Sequence, residues 1–349
     1  MYNYTYDTET GGLLLNTSPM RFSKEPRPVY YKELDLLGFD RYWTYEKQDA
    51  LPYMWAEANK YYYFGRLVAQ TKGGNLYTAP ELEIKEELTE PLRTVDMEKM
   101  LEKNADFLQI LEQETVKKIY DVWKRRKDKI DVFQVAFSGG KDSIVLLDLV
   151  KKALPKDEFV VVFGDTQMEF PDTYDVVDKV EAQCKVEGIL FYRAKSHMDA
   201  LESWRKLGPP SRILRWCCHV HKSVPKAIEL RQKMGGSYTG LDFVGVRAQE
   251  SFQRSDYEYE SYGKKLKGQY SHNSILEWTS AEVWLYIYYH NLIINPAYKM
   301  GNQRVGCVFC PMSAKTDYIK NVIYREQINR FSDIVRESYT QEDIESGYW

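Results

Sequence analysis

Between the apolar run Ile130–Ala136 and the periodic segment Ile144–Leu154 lies Phe137-Ser138-Gly139-Gly140-Lys141-Asp142-Ser143, and no other stretch constrains the chain so tightly. Val132, Phe133, Val135, Ala136 and Phe137 are β-branched, aromatic or small, as a strand buried on both faces requires. Val145, Leu146, Leu149 and Val150 recur at helical spacing. The order strand, glycine turn, helix puts Ser138–Ser143 at a helix N-terminus, where unpaired N–H groups and the positive end of the dipole favour an anion. Gly139 and Gly140 let the backbone approach a phosphate, Lys141 adds a mobile cation, and Ser138 and Ser143 add hydroxyl donors. Two glycines between strand and helix also make an ordinary tight turn; six specified residues in this context favour the anion site. A Walker loop is excluded, because it needs Gly, four residues, then Gly-Lys-Ser/Thr.

Phe159–Phe163 reads as a second apolar strand ending in Gly164-Asp165-Thr166-Gln167-Met168-Glu169-Phe170-Pro171-Asp172-Thr173. Ligands of open α/β sheets collect at the carboxyl ends of strands, so Asp165 and Thr166 are expected in the crevice that holds Ser138. Asp165 suits Mg²⁺ or a ribose hydroxyl, and Asp172 reads as the cap of a helix over Tyr174–Val186. Cys184, inside that helix, reads as a small buried hydrophobe.

The other four of the five cysteines cluster as Cys217-Cys218, within Arg215–Pro225, and Cys307-Val308-Phe309-Cys310. An odd count arranged this way points to metal or redox chemistry over a disulfide framework. Adjacent cysteines suit structural zinc poorly, since its ligands sit roughly two to four residues apart. Two neighbouring thiolates can instead bind different irons of one [4Fe–4S] cluster. His219 and His221 keep zinc as the rival, with free thiols as the third reading.

Net charge −3 and a pI near 6.1 give no overall basic bias, so nucleic-acid binding needs a local basic face. Met1-Tyr2-Asn3-Tyr4 lacks a basic start and a long apolar run, and no segment approaches a membrane span, so a cytoplasmic location is expected. Alternating Tyr2, Tyr4 and Tyr6, then Glu9-Thr10-Gly11-Gly12 and Leu13–Leu15, predict a hairpin. A second hairpin is predicted with strands Tyr61–Ala69 and Leu76–Ile84 about a turn at Lys72–Asn75. The aromatics of this region read as the core of a small domain, with base stacking the less favoured reading. Met97, Met100, Leu101, Leu108, Leu111, Ile119 and Trp123 fall near helical spacing and predict one long helix or two shorter ones. Lys124-Arg125-Arg126-Lys127 then complements the helix dipole, with a phosphate backbone as the alternative partner.

Ser-Gly-Gly-Lys-Asp-Ser resembles the PP-loop of ATP pyrophosphatases, the superfamily that includes PAPS reductases, tRNA thiolases and the Dnd-type ATPase of DNA phosphorothioation. The resemblance covers most of Asp131–Ser313. It implies a loop that grips the pyrophosphate end of ATP and cleavage between the α and β phosphates. Asp165 to Thr173 looks like the Asp-Thr block of PAPS reductases. Gly245-Val246-Arg247-Ala248-Gln249-Glu250-Ser251 with Arg254 resembles the element whose arginine meets the nucleotide, which makes Arg247 and Arg254 anion contacts and Glu250 their organiser. Asn273–Thr279 before a helix over Ala281–His290, and Asn295-Pro296-Ala297-Tyr298, also match the family. Cys217, Cys218, Lys222 and Pro225, with Cys307 and Cys310, resemble the cluster block of APS reductases. Two departures matter. Those reductases carry a degenerate PP-loop, whereas Ser138–Ser143 is intact; they also use a nucleophilic cysteine in a C-terminal tail, and no cysteine follows Cys310 here. The combination is nearest to the phosphorothioation ATPase, which arranges its cysteines differently. Ending at Gly347-Tyr348-Trp349 just after a helical stretch, the chain is compatible with a fragment of something longer.

The expectation is therefore an α/β parallel-sheet adenine nucleotide alpha hydrolase domain over residues 131–349, a helical connector over 95–130 and a small β-containing accessory domain over 1–94. Lys141, Asp142 and Asp165 are the expected catalytic residues. Ser138, Gly139, Gly140, Lys141, Asp142, Ser143, Asp165, Thr166, Arg247 and Arg254 are expected to hold ATP and Mg²⁺, and Cys217, Cys218, Cys307 and Cys310 a [4Fe–4S] cluster, with Zn²⁺ as the alternative. The expected activity is adenylylation of an acceptor for sulfur transfer, with a nucleic acid or a sulfur-donor protein as partner, a homodimer as the oligomer, and no membrane. The rivals are a thiol-assisted PAPS/APS reductase and a nucleotide-sensing subunit of a defence complex.

Overall fold

The computed structural model describes residues 3–17, 25–263, 268–312 and 318–345. Tyr2, Ser313 and Gly347-Tyr348-Trp349 of the sequence reading lie outside these residues. The chain opens with the expected hairpin, β1 (Asn3–Tyr6) and β2 (Leu13–Asn16), Tyr4 opposite Leu15. Asp7 shapes its turn by accepting from Glu9 N and Thr10 Oγ1.

A five-stranded antiparallel sheet follows, built from β3 (Pro26–Val29), β4 (Met54–Glu57), β5 (Lys60–Tyr63), β6 (Arg66–Lys72) and β7 (Glu81–Ile84), with α1 (Tyr31–Leu37) after its first strand. The single strand expected over Tyr61–Ala69 is broken at Phe64-Gly65. Their φ angles, 45° and 80°, are both positive, as a two-residue hairpin loop between right-twisted strands requires. The return strand starts at Glu81, well after Leu76, because Asn75 Oδ1 accepts the Tyr77 and Thr78 amides and holds those residues in a turn.

One 30-residue helix, α2 (Met97–Arg126), comes next, its first turn capped by Asp96. Arg125 and Arg126 at its end both pair with Glu260, and Lys127 lies 5.1 Å above the Trp123 ring, so these cations are engaged within the chain. Buried Asn104 on α2 accepts the Leu15 amide at 2.7 Å and donates to Leu13 O at 2.9 Å, which fixes the hairpin edge to the helix.

The remainder contains β8 (Val132–Phe137), α3 (Lys141–Ala153), β9 (Val160–Asp165), α4 (Pro171–Glu187), β10 (Leu190–Lys195), α5 (Ala200–Leu207), α6 (Trp216–Cys218), a π-helical turn over His219–Ser223, and α7 (Val224–Lys233). Then come β11 (Gly240–Phe243), α8 (Phe252–Ser255), β12 (Glu260–Tyr262), β13 (Gln269–His272), α9 (Ser280–Tyr289), α10 (Pro296–Lys299), α11 (Tyr318–Ile323), α12 (Arg325–Ser338) and α13 (Gln341–Glu345). The sheet order is β10-β9-β8-β11-β13-β12, parallel throughout except where β12 runs antiparallel to β13. This is the α/β architecture expected. Thr279, with Glu282 completing a capping box, starts α9.

Tyr4, Leu13, Leu15 and Trp55 share one core with α2, α3, α9 and the parallel sheet. The five-stranded sheet has a second core around Val29, Leu34, Phe39, Trp43 and Met54. It docks on α9 and α10 through Ser280 Oγ to Pro26 O (3.0 Å), the Tyr30–Tyr288 hydroxyl pair (2.7 Å) and Lys299 Nζ to Asp49 O (2.6 Å). Among the described residues no helix is long and apolar enough to cross a membrane.

His272 on β13 is buried beside the Phe243 and Tyr259 rings and pairs with Ser274 Oγ at 2.9 Å. Burial pushes its pKa down to about 4 from 6.5. A depressed folded pKa means the unfolded chain takes the proton first, so this contribution is complete above about pH 6.5 and is lost as pH falls toward 4. Its loss amounts to on the order of 3 kcal/mol. Chemical denaturation across this window should give a steep slope for the wild type and a shallower one for His272→Asn; identical slopes contradict the assignment.

Candidate functional site

β8 ends at Phe137 and α3 begins at Lys141, which leaves Ser138-Gly139-Gly140 as the turn between them. Gly139 has φ +71°, and a Cβ there would lie 2.9 Å from Thr173 Cγ2 on α4, so both backbone and space require glycine. The Gly139 and Gly140 amides have no protein acceptor among the described residues. They open the N-terminus of a 13-residue helix. The rest of the loop is pinned. Ser138 N donates to Ser143 Oγ at 3.2 Å, which donates to Gly140 O at 2.9 Å. Lys141 N donates to Tyr298 Oη at 3.1 Å, and Asn295 Nδ2 donates to Gly139 O and Thr173 Oγ1, both at 3.1 Å. Asn295 and Tyr298 therefore hold the loop, a role the sequence reading missed. Asn-Pro signals a cap, and Asn295 Oδ1 does accept the Ala297 amide, but local pattern cannot show where the other end of the amide reaches.

Lys141, expected as a mobile cation, is held in place: its side chain is 8% exposed and that of Asp142 17%. The correction has a steric cause. Gly245 lets the segment after β11 descend onto the first turn of α3, and a Cβ there would lie 2.9 Å from Asp142 O. Arg247 follows, fully buried, with Nε donating to Asp142 Oδ1 and Nη2 to Glu25 Oε1, each at 2.6 Å. Lys141 Nζ donates to Asp142 Oδ2 at 2.7 Å. Burial pushes the Asp142 pKa up, but Arg247 and Lys141 outweigh it and hold the carboxyl well below the usual range. Arg247 Nη1 is buried and has no acceptor among the described residues. Glu250 accepts the Arg247 amide and pairs with Arg254, so one carboxylate orders both arginines.

Asp165 closes β9. Its Oδ1 accepts Gln167 N and Tyr174 Oη, both at 2.8 Å, while Oδ2 accepts nothing among the described residues. Thr166 Oγ1 donates to buried Glu169 at 2.9 Å and lies 3.5 Å from Cys307 Sγ. Glu169 is held raised by burial, against the pull of Lys222. Asp172 is not a cap: α4 starts at Pro171 with Phe170 before it, and Asp172 accepts Tyr324 Oη at 2.7 Å. Proline at the first helical position makes Phe170 the capping residue. Cys184 is fully buried, and that burial raises its pKa.

The two cysteine segments meet beside the end of β9. Glu169 and Cys307 form a bridge, Val308 N donates to Met168 O at 2.8 Å, and Arg212 Nε donates to Pro311 O at 3.0 Å. The Cys217 thiol is raised by its hydrogen bond with Cys218, by burial, and by Cys307 and Cys310 nearby. Cys218 is lowered by that same bond against its burial, with Lys222, Arg215 and His219 adding positive charge. Four thiols from two segments beside cationic side chains fit the donor set of an iron–sulfur cluster. Among the described residues, however, no three His, Cys, Asp or Glu side chains stand arranged to hold a metal ion. His221, the rival zinc ligand, is buried with Nε2 2.8 Å from Ser203 Oγ.

Removing the Tyr298 hydroxyl leaves the buried Lys141 amide unpaired. Tyr298→Phe should lose about 1–3 kcal/mol in urea denaturation; an unchanged midpoint would show that the loop does not depend on this clamp.

The phosphoadenosine phosphosulfate reductase domain family matches residues 133–313. The chain is 32% identical over 280 residues to an uncharacterized protein of Methanocaldococcus jannaschii, covering 80% of this chain and 65% of that protein. It spans 42% of a second protein of the same organism. An adenosine 5'-phosphosulfate reductase of Anoxybacillus flavithermus is 27% identical over 225 residues, covering 61% of this chain and 77% of that enzyme. The crystal structure of a phosphoadenylyl-sulfate reductase from Candida auris, in a phosphate complex, is 21% identical with a TM-score of 0.41, covering 54% of this chain and 87% of that one. With more than half of its length matched, from β8 past the second cysteine pair, the chain belongs to the phosphoadenosine phosphosulfate reductase domain family.

Proposed function

We propose that the chain is an ATP pyrophosphatase that breaks the α–β bond of ATP and adenylylates an acceptor, so that sulfur can replace the activated oxygen. One observation carries this reading: two adjacent amides, Gly139 and Gly140, unpartnered among the described residues, open a long helix beside the Lys141–Asp142–Arg247 chain. Preorganised donors of this kind act where charge develops on a leaving group. The acceptor oxygen attacks the α phosphorus, and the electron pair of the broken bond leaves on pyrophosphate. Loop amides, Lys141 and Arg247 face that charge, Ser138 and Ser143 keep the loop in shape, and Arg254 adds a second guanidinium. Asp165 is the better-placed ligand for Mg²⁺, because Oδ2 is available, whereas both oxygens of Asp142 are engaged. When bound, Mg²⁺ would neutralise the pyrophosphate oxygens.

Cys217, Cys218, Cys307 and Cys310 would hold a [4Fe–4S] cluster, which supplies electron or sulfur chemistry next to Thr166. The accessory residues 1–94 and connector 95–130 are proposed as supports of a 131–349 catalytic unit. A nucleic acid or small molecule is the proposed acceptor, with a sulfur-donor protein as partner. The similarity to adenosine 5'-phosphosulfate reductases supports a second reading, reduction of a sulfonucleotide by a thiol on another chain.

Chromatography of reactions with ATP should give AMP, or an adenylylated acceptor, and pyrophosphate. ADP as the main product, lost in Lys141→Ala, overturns the reading; sulfite released from PAPS or APS supports the second. Anaerobically purified protein should carry about four irons with matching sulfide, and loss of any one cysteine should deplete them. Stoichiometric zinc without iron rules the cluster out.

A further inference from the structure

Glu25 precedes β3 of the accessory sheet, yet its carboxylate lies in the candidate nucleotide site, 2.6 Å from Arg247 Nη2. That arginine belongs to the loop after β11 and is fully buried, whereas the Glu25 side chain is 40% exposed. The two carboxylates on the guanidinium therefore differ in kind. Asp142 is enclosed and also holds Lys141, so it is part of the framework. Glu25 caps the solvent side and holds nothing else among its described polar contacts. Next to the nitrogen it covers, Nη1 is buried without an acceptor among the described residues. A guanidinium with one orphaned donor beside one held by a part-exposed carboxylate matches the fork that takes two phosphate oxygens.

The charges point the same way. Lys141 and Arg247 supply two positive charges, and Asp142 and Glu25 cancel both. At Lys141 and Arg247 an entering polyphosphate gains little until one carboxylate leaves, and of the two Glu25 is the more exposed. Its backbone has the means to transmit the change. Glu25 leads directly into Pro26-Arg27-Pro28-Val29, buried along its whole length, whose Pro26 carbonyl is bound by Ser280 of α9.

We infer that Glu25 is a specificity-determining residue of the nucleotide site: it occupies the outer edge of Arg247 as a stand-in anion and yields that edge to a phosphate group. This rests on the nucleotide reading of the PP-loop. Ligands that reach Arg247 must compete with Glu25, and ligands without phosphate do not feel it.

Calorimetric titration of the full chain with sodium pyrophosphate, ATP and adenosine tests this in wild type, Glu25→Gln, Glu25→Ala and Lys141→Ala. Both Glu25 variants should bind pyrophosphate and ATP about fivefold tighter, the scale of a partly exposed ion pair, with adenosine affinity unchanged. Equal tightening of adenosine would show a general effect on the fold and overturn the inference. Pyrophosphate affinity unchanged or weakened in both Glu25 variants, while Lys141→Ala still weakens it, overturns the inference and leaves the nucleotide site standing. No binding of any phosphate ligand by any form overturns both.

Discussion

The site depends on one largely enclosed carboxylate held between two cations. Asp142, in the first turn of α3, receives Lys141 on one oxygen and Arg247 on the other. Enclosing three charges is costly unless each is satisfied, and removing one partner from such a set leaves an uncompensated charge inside the protein. The pairing therefore does more than tune a pKa. It ties the loop after β11 to the helix that begins at the PP-loop, and so holds two strand ends in a fixed relation. Glycine at 245 is the steric condition for that contact.

Strand order explains why those two loops are neighbours. From β8 the chain moves outward through β9 to β10, then returns to the other side of β8 as β11. The segments that leave the carboxyl ends of β8 and β11 start side by side there, at the end of the sheet where open α/β folds bind ligands. The five-stranded antiparallel sheet is fastened to α9 and α10, and the cysteine segments gather at the end of β9. The proposed phosphate seat and the thiols thus share one end of the sheet, separated by Asp165 and Thr166.

Much of this was legible in the sequence where one period or one tight motif governs. The strand, PP-loop and helix around Ser138–Ser143 and the second strand follow from apolar spacing and glycine, whereas the same spacing left the segment from Met97 open between one helix and two, and it folds as one. What escaped was partly local and mostly long-range. Phe64-Gly65 was read through as strand because aromatic residues on both sides suit β structure, whereas the positive φ of two neighbours decides the turn. Asp172 looked like a cap, but Pro171 fills the first helical position and sends Asp172 to Tyr324. Burial of Lys141, the clamp from Asn295 and Tyr298, and the arrival of Glu25 all depend on partners more than a hundred residues away. No local pattern encodes such meetings. The four cysteines were visible as a group, although the tie from Arg212 to Pro311 that draws their segments together was not.

The central claim is that the amides of Gly139 and Gly140, with Lys141 and Arg247, form a seat for the terminal two phosphates of ATP. Phosphorus NMR of ATP titrated with the protein tests it most directly, because the three phosphates report separately. The account predicts that the β and γ resonances shift and broaden far more than the α resonance, and that Lys141→Ala abolishes the difference. Unperturbed β and γ signals, or a perturbation confined to the α phosphate, would contradict it.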